Sequence, residues 1–221
     1  MIKTRIRTLL LLLTLIPVFL FGQETKKITD KETHEEYYVL KSDNSIKQGK
    51  YYKNHNNGLG RIDGYYRNGV KDGIWEFYDF NGDLQQKFDF TKNELIFNKV
   101  SGKAKELIYK VINDSDAPET LLDRLPIYIG ADAILVQILR QNIHYPRAAM
   151  EKGTQGKVYI SFTIDKNGKT SNRRLSRGIG DGCDEEALKA VKAIPDNWLP
   201  GLIKGQPVNV EITVPVSFTL N

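Results

Sequence analysis

Pro207-Val208-Asn209-Val210-Glu211-Ile212-Thr213-Val214-Pro215-Val216-Ser217-Phe218-Thr219-Leu220 is the stretch on which the fold turns. Val208, Val210, Ile212, Val214, Val216, Phe218 and Leu220 share one phase; Asn209, Glu211, Thr213, Ser217 and Thr219 share the other. A period of two over so many residues predicts a long strand with one face buried. Pro215 falls on the outward phase. Proline has no N–H to give a ladder, so it predicts an edge strand or a bulge at that point.

Working back from this strand, Asp184-Glu185-Glu186-Ala187-Leu188-Lys189-Ala190-Val191 predicts a helix. Its acidic first turn complements the helix dipole, and Ala187, Leu188, Val191 and Ile194 make one apolar stripe. Before it, Val158, Ile160, Phe162 and Ile164 alternate with Tyr159, Ser161, Thr163 and Asp165, the pattern of a half-buried strand. Asp165-Lys166-Asn167-Gly168 supplies a hairpin turn into a more polar strand ending near Arg177. Ile134, Leu135, Ile138 and Leu139 predict an amphipathic helix over Ala131–Asn142, and Pro146 forces the chain out of helical backbone at His144-Tyr145. Helix, hairpin, helix and long strand together give an α+β domain whose small sheet has an open edge.

The first half repeats. Asn44-Ser45-Ile46-Lys47-Gln48-Gly49-Lys50-Tyr51-Tyr52 matches Asn68-Gly69-Val70-Lys71-Asp72-Gly73-Ile74-Trp75-Glu76 at an offset of 24, and Asn57-Gly58 matches Asn81-Gly82 at the same offset. Aromatic residues alternate with polar ones, and Asn-Gly punctuates them as in two-residue hairpin turns. Tyr51, Tyr65, Trp75, Phe77 and Phe88 are expected to pack one sheet face. Between Ile96 and Pro126 the pattern fits either a helix or, at Leu107–Ile112, a strand, and period does not separate the two. Asn113-Asp114-Ser115-Asp116-Ala117-Pro118 reads as a linker, which divides the chain into 23–112, a linker over 113–125, and 126–221.

The chain has 221 residues, a formal net charge of +5 and one cysteine. Three of the cations, Lys3, Arg5 and Arg7, precede an apolar run from Leu9 to Phe21 that ends at Gly22. A basic start, a short apolar run and a small residue have the form of an export signal over 1–22. At about 1.5 Å per residue, a helix of that length spans roughly 20 Å of a hydrocarbon core about 30 Å thick, which argues against an anchor. An uncleaved anchor, which would bring the only membrane contact, is the competing reading. Without those three charges +2 remains, interspersed with Asp and Glu, so no concentrated basic face exists for nucleic acid. Cys183 has no partner for an intramolecular disulfide.

Two resemblances follow from these residues. The element from Asn68 to Tyr78 resembles the MORN and MORN-like repeats, over residues 38–95, which implies a scaffold or interaction surface built of β-hairpins. Tyr145-Pro146, Ala149, Gly153, Gly156, Val158, Phe162, Asp165, Gly168, Glu186-Ala187, Trp198, Pro200-Gly201, Pro207-Val208 and Pro215-Val216-Ser217-Phe218 together resemble the TonB C-terminal domain, over 126–221. That resemblance implies a β-β-α-β periplasmic domain that supports TonB-dependent transport by capturing an extended segment of an outer-membrane receptor. Capture would be by strand addition on Val208, Asn209, Val210, Glu211, Ile212, Thr213 and Val214, with Tyr145 and Pro146 beside that strand. A helix-to-strand corner is the alternative for Tyr145-Pro146. Energy transducers of the family carry a full membrane anchor and a Pro-rich spacer. Here the apolar run is short and no proline occurs between Pro17 and Pro118, so the resemblance implies receptor capture without implying coupling to an inner-membrane motor. An open strand edge also allows self-pairing into a homodimer.

Nothing points to catalysis, a cofactor or a metal. Gly178, Gly180 and Gly182 precede a helix, but the third glycine of a dinucleotide fingerprint is missing and Asp181, Asp184, Glu185 and Glu186 would repel phosphate. His34, His55 and His144 lack metal-ligand spacing. Cys183 sits among carboxylates that should raise its thiol pKa, the wrong direction for a nucleophile. The reading is a non-enzymatic, exported binding protein of the periplasm. Its alternatives are an inner-membrane-anchored form and an envelope scaffold or inhibitor working through the aromatic repeat surface.

Overall fold

The Asn68-Gly69 pair sits at the tip of a hairpin, both residues with positive φ (51° and 80°), as a two-residue turn of type I′ requires. This hairpin belongs to a seven-stranded antiparallel meander in chain order: β1 (Thr25–Asp30), β2 (Glu35–Leu40), β3 (Lys47–Asn54), β4 (Arg61–Arg67), β5 (Val70–Tyr78), β6 (Leu84–Asp89) and β7 (Glu94–Asn98). The computed structural model describes residues 23–54, 61–99, 108–112 and 122–220. The segment 1–22, expected to be an export signal, and Asn57-Gly58 lie outside the described residues.

The 24-residue repeat is a strand pair. Tyr51 and Trp75, related by that offset, stack at 5.2 Å, and Tyr66 and Phe90, also related by it, stand edge-on to Trp75 at 5.2 and 5.6 Å. Tyr51, Trp75, Phe77 and Phe88 are buried as expected, but Tyr65 is exposed and Tyr66 takes its place. The cause is phase. Gly64 pairs with Tyr51 and leaves the space that Trp75 fills: a Cβ on Gly64 would stand 2.3 Å from the indole. Period two then puts Tyr66, two residues on, on the packed face.

The repeated lysines cap these rings. Lys71 Nζ stands 4.4 Å from the Trp75 centroid and 4.7 Å from Phe90; Lys47 Nζ stands 4.2 Å from Tyr37 and 5.1 Å from Tyr51. Burial, helped by the charge of Lys47, pushes the Lys71 ammonium down from 10.5 to about 8. Between those values the unfolded chain holds a proton that the folded chain has released, so this site's contribution to stability rises with pH; below about 8 the full cost of burying the charge is present. The stability of wild type relative to Lys71→Met is therefore expected to rise by about 2–3 kcal/mol from pH 7 to pH 10.5. Urea unfolding at the two pH values checks this, and an unchanged difference refutes it.

The second half opens with β8 (Ile108–Ile112) and β9 (Ile127–Tyr128), followed by α1 (Ala131–Asn142) and α2 (Arg147–Lys152). Then come β10 (Gly156–Ile164), β11 (Thr170–Arg177), α3 (Cys183–Lys192), β12 (Trp198–Leu199), β13 (Gly201–Ile203) and β14 (Gln206–Phe218). The five-stranded sheet runs β11-β10-β14-β13 with β8 also on β14. Val158, Ile160, Phe162 and Ile164 of β10 and Val210, Ile212, Val216 and Phe218 of β14 bury their side chains against Ala187 and Val191 of α3 and the apolar side of α1.

Two details differ from the expected pattern. β10 is central, so Ser161 and Thr163 are buried as well; Ser161 Oγ pairs with Thr213 Oγ1 at 2.7 Å, and the Arg174–Glu211 ion pair bridges β10 on that face. Leu220 lies past the strand end and is exposed.

The two halves meet through Gln86 of β6, which is fully buried. Its Nε2 donates to Tyr128 O at 3.0 Å and to Asn98 Oδ1 at 2.9 Å, while its Oε1 accepts from Gly130 N at 2.8 Å. Ile129, Ala131 and Leu199 join the aromatic cluster of the first sheet.

Candidate functional site: the edge of the long strand

β14 pairs with β10 in continuous register from Phe218↔Gly156 to Val210↔Ile164. Pro215 lies opposite Tyr159 and cannot donate, so that pair is a non-hydrogen-bonded one. The alternation then settles the rest. Val210, Ile212, Val214 and Val216 exchange ladder bonds with β10, and Asn209, Glu211 and Thr213 turn their N–H and C=O groups to the opposite edge.

That edge is not open, contrary to the expectation for Val208–Val214. β8 pairs along it antiparallel, Ile112 opposite Asn209, Lys110 opposite Glu211 and Ile108 opposite Thr213. β13 pairs with the start of β14, Gly201 opposite Val208, through the phase of Val208 and Val210 that faces the other side. Ile108–Ile112, grouped with the first half by its sequence position, is thus a strand of the second sheet. Its apolar composition suits any edge, and only the pairing selects this one. Beyond Thr213 the described residues place nothing on the edge, and there Pro215 is tolerated.

Glu211 is the charged centre of the edge. It receives both Arg174 guanidinium nitrogens from across β10, and with Lys110 opposite it these cations hold its carboxyl below the usual range. Asn209 Oδ1 accepts Lys166 N at 3.1 Å, which ties the hairpin tip to β14. At that tip Gly168 (φ 76°) leaves no room for a side chain, since a Cβ there would stand 1.9 Å from Trp198 O.

Tyr145 and Pro146 are not beside Val208–Val214. Tyr145 packs edge-on to Phe218 at 5.6 Å and donates its hydroxyl to Thr154 O at 2.6 Å; Pro146 begins α2. Four residues of extended chain separate Phe218 from Val214, roughly 13 Å. The pair forms the corner between α1 and α2, not the helix-to-strand corner of the alternative reading, and Glu186 pins it by accepting His144 N at 3.0 Å, a bond that lowers the Glu186 carboxyl.

The glycine turn before α3 is filled by the protein's own carboxylate. Asp184 Oδ1 accepts Ile179 N at 2.8 Å, and a Cβ on Gly178 would stand 2.1 Å from Asp184 Oδ2. Cys183 is buried, and burial first, then Asp184, Asp181 and Glu185, pushes its thiol up. Among the described residues no His/Cys/Asp/Glu group has metal-binding geometry and no helix is long and apolar enough to cross a membrane.

Comparison with known proteins finds similarity in the second half of the chain. The family model described as Gram-negative bacterial TonB protein C-terminal matches residues 141–220. Protein TonB of Vibrio cholerae serotype O1 (strain ATCC 39315 / El Tor Inaba N16961) is 31% identical over 77 residues, 34% of this chain; the chain spans 31% of that relative's length. Two solution structures of the Helicobacter pylori TonB-CTD are also similar. One is 20% identical, covering 39% of this chain and 78% of that one with a TM-score of 0.30. The other is 21% identical, covering 40% and 96% with a TM-score of 0.29. Residues 141–220 of the chain, which hold α2, α3 and the strands β10 to β14, are similar to the C-terminal domain of TonB proteins.

Proposed function

We propose that this is an exported periplasmic protein that binds an outer-membrane receptor segment, or another envelope protein, by strand addition at Val208–Val214, supporting TonB-dependent transport. The observation that carries the reading is the backbone direction of β14: Asn209, Glu211 and Thr213 aim three consecutive donor–acceptor sets at an edge whose covering strand is largely exposed. Main-chain bonds there supply affinity, and side chains on alternate residues supply selectivity.

Backbone direction also chooses the test. Ile212→Pro would break a ladder bond to β10 and unfold the sheet, whereas Glu211→Pro removes an edge donor and leaves the β10 ladder whole. Glu211→Pro is expected to weaken binding of a synthetic extended receptor segment at least tenfold in calorimetry, with Glu211→Gln separating the backbone from the charge. Binding unchanged in Glu211→Pro would sink the reading.

A second reading is supported by the lysine-capped aromatic stack, which repeats at 24 residues in the first sheet. In it the MORN-like sheet is the working surface of an envelope scaffold or inhibitor, and the C-terminal domain only docks it. Partner capture surviving substitutions on β14 but lost on exposed first-sheet positions such as Tyr65 and Ile74 would favour this second reading.

A further inference from the structure

The strand β8 describes the ligand of the edge it covers. It is five residues long and weakly held: Ile108 is 62% exposed, and Tyr109 and Ile112 are each 37% exposed. A strand that buries so little apolar surface gains little from the hydrophobic effect, and its tie to β14 is chiefly backbone pairing. Because Asn209, Glu211 and Thr213 face it, the hydrogen-bonded pairs are Ile112–Asn209, Lys110–Glu211 and Ile108–Thr213. Tyr109 and Val111 stand opposite Ile212 and Val210, on the core side of the sheet. Lys110 stands opposite Glu211, a cross-strand pair of opposite charge. In length, direction and register β8 therefore meets every requirement the edge places on an added strand.

We propose that β8 is a built-in surrogate for the partner: it closes the Asn209–Thr213 edge in the free protein and is displaced by an antiparallel extended segment with aromatic or β-branched residues opposite Ile212 and Val210 and a Lys or Arg opposite Glu211. This rests on strand addition at β14 and adds the chemistry of the segment and the competitor that sets its apparent affinity. A site that is competent only when β8 has left binds with its intrinsic affinity reduced by the fraction of open molecules.

The test uses the full chain and a labelled peptide, Gly-Ser-Ile-Tyr-Lys-Val-Ile-Ser-Gly, read by fluorescence anisotropy. Lys110→Pro removes a donor that faces β14 and vacates the edge; it is expected to bind the peptide at least tenfold more tightly than wild type. A peptide with Glu in place of its Lys is expected to bind that variant about two- to fivefold more weakly. Asn209→Cys with Ile112→Cys joins a hydrogen-bonded pair whose Cα atoms, about 5.5 Å apart, suit a disulfide. The oxidised form is expected to bind at least tenfold more weakly than the same protein reduced, a comparison that does not depend on Lys110→Pro folding. Equal binding by Lys110→Pro and wild type, or by the oxidised and reduced forms, overturns the surrogate role. Adding Glu211→Pro to Lys110→Pro separates the two levels. If the peptide still binds, strand addition itself fails. If that binding is lost while Lys110→Pro and the disulfide have no effect, strand addition stands and the surrogate role alone fails.

Discussion

Trp75→Ala is expected to lower the stability of the first sheet by about 3–5 kcal/mol, the range for removing a fully buried large aromatic side chain. Trp75 is 1% exposed and sits at the junction of the repeat: stacked on Tyr51, edge-on to Tyr66 and Phe90, capped by Lys71, with its Nε1 donating to Tyr65 O at 3.2 Å. The site cannot collapse to compensate. Gly64 offers no side chain to move into the space, and the surrounding rings belong to strands held in register on both sides. A loss of this size is a large share of the total stability of a domain, so the melting temperature should fall by about 10 °C or more. Trp75→Phe should cost much less, because it keeps a ring in the stack. Thermal unfolding followed by near-ultraviolet circular dichroism is the measurement. A loss below about 1 kcal/mol for Trp75→Ala would show that the aromatic cluster is not what holds the meander.

Gln86→Ala is expected to cost about 2–6 kcal/mol, by a different mechanism and with a different signature. Its amide satisfies Tyr128 O and Gly130 N, both in buried residues, and truncation strands these two main-chain groups at about 1–3 kcal/mol each. Since Gln86 lies in the first sheet and its partners lie in the segment leading into α1, the variant should also loosen the tie between the halves. Calorimetry should then resolve two transitions where wild type gives one, the later one assigned by the fluorescence of Trp198. One transition with an unchanged midpoint would mean that the halves are not coupled through this amide.

The aromatic cluster and the Gln86 contact show how differently sequence exposes structure. Alternation made β10 and β14 legible, because burial on one face imposes period two on the residues themselves. Asn68-Gly69 was legible because few residue pairs accept two positive φ angles. Tyr65 and Tyr66 were not separable: neighbouring tyrosines carry equal aromatic signal, and which one packs depends on the phase set by Gly64 and Trp75. Gln86 carried no signal at all, since a buried glutamine is chosen by the orphan backbone groups of a segment 42 residues away.

The site divides along the same line. Residue pattern alone determined the α+β class of the second half and the long strand, and it marked Pro215 as a point where the ladder is broken. It left Leu107–Ile112 open between helix and strand. Only the tertiary structure decided that this short strand closes the Asn209–Thr213 edge and that Tyr145-Pro146 belongs to the far end of β14. Side-chain periodicity is a local property written into consecutive residues. The choice of which edge a strand joins is a competition among backbone donors and acceptors that every sequence carries alike, and it is settled by what else is packed nearby.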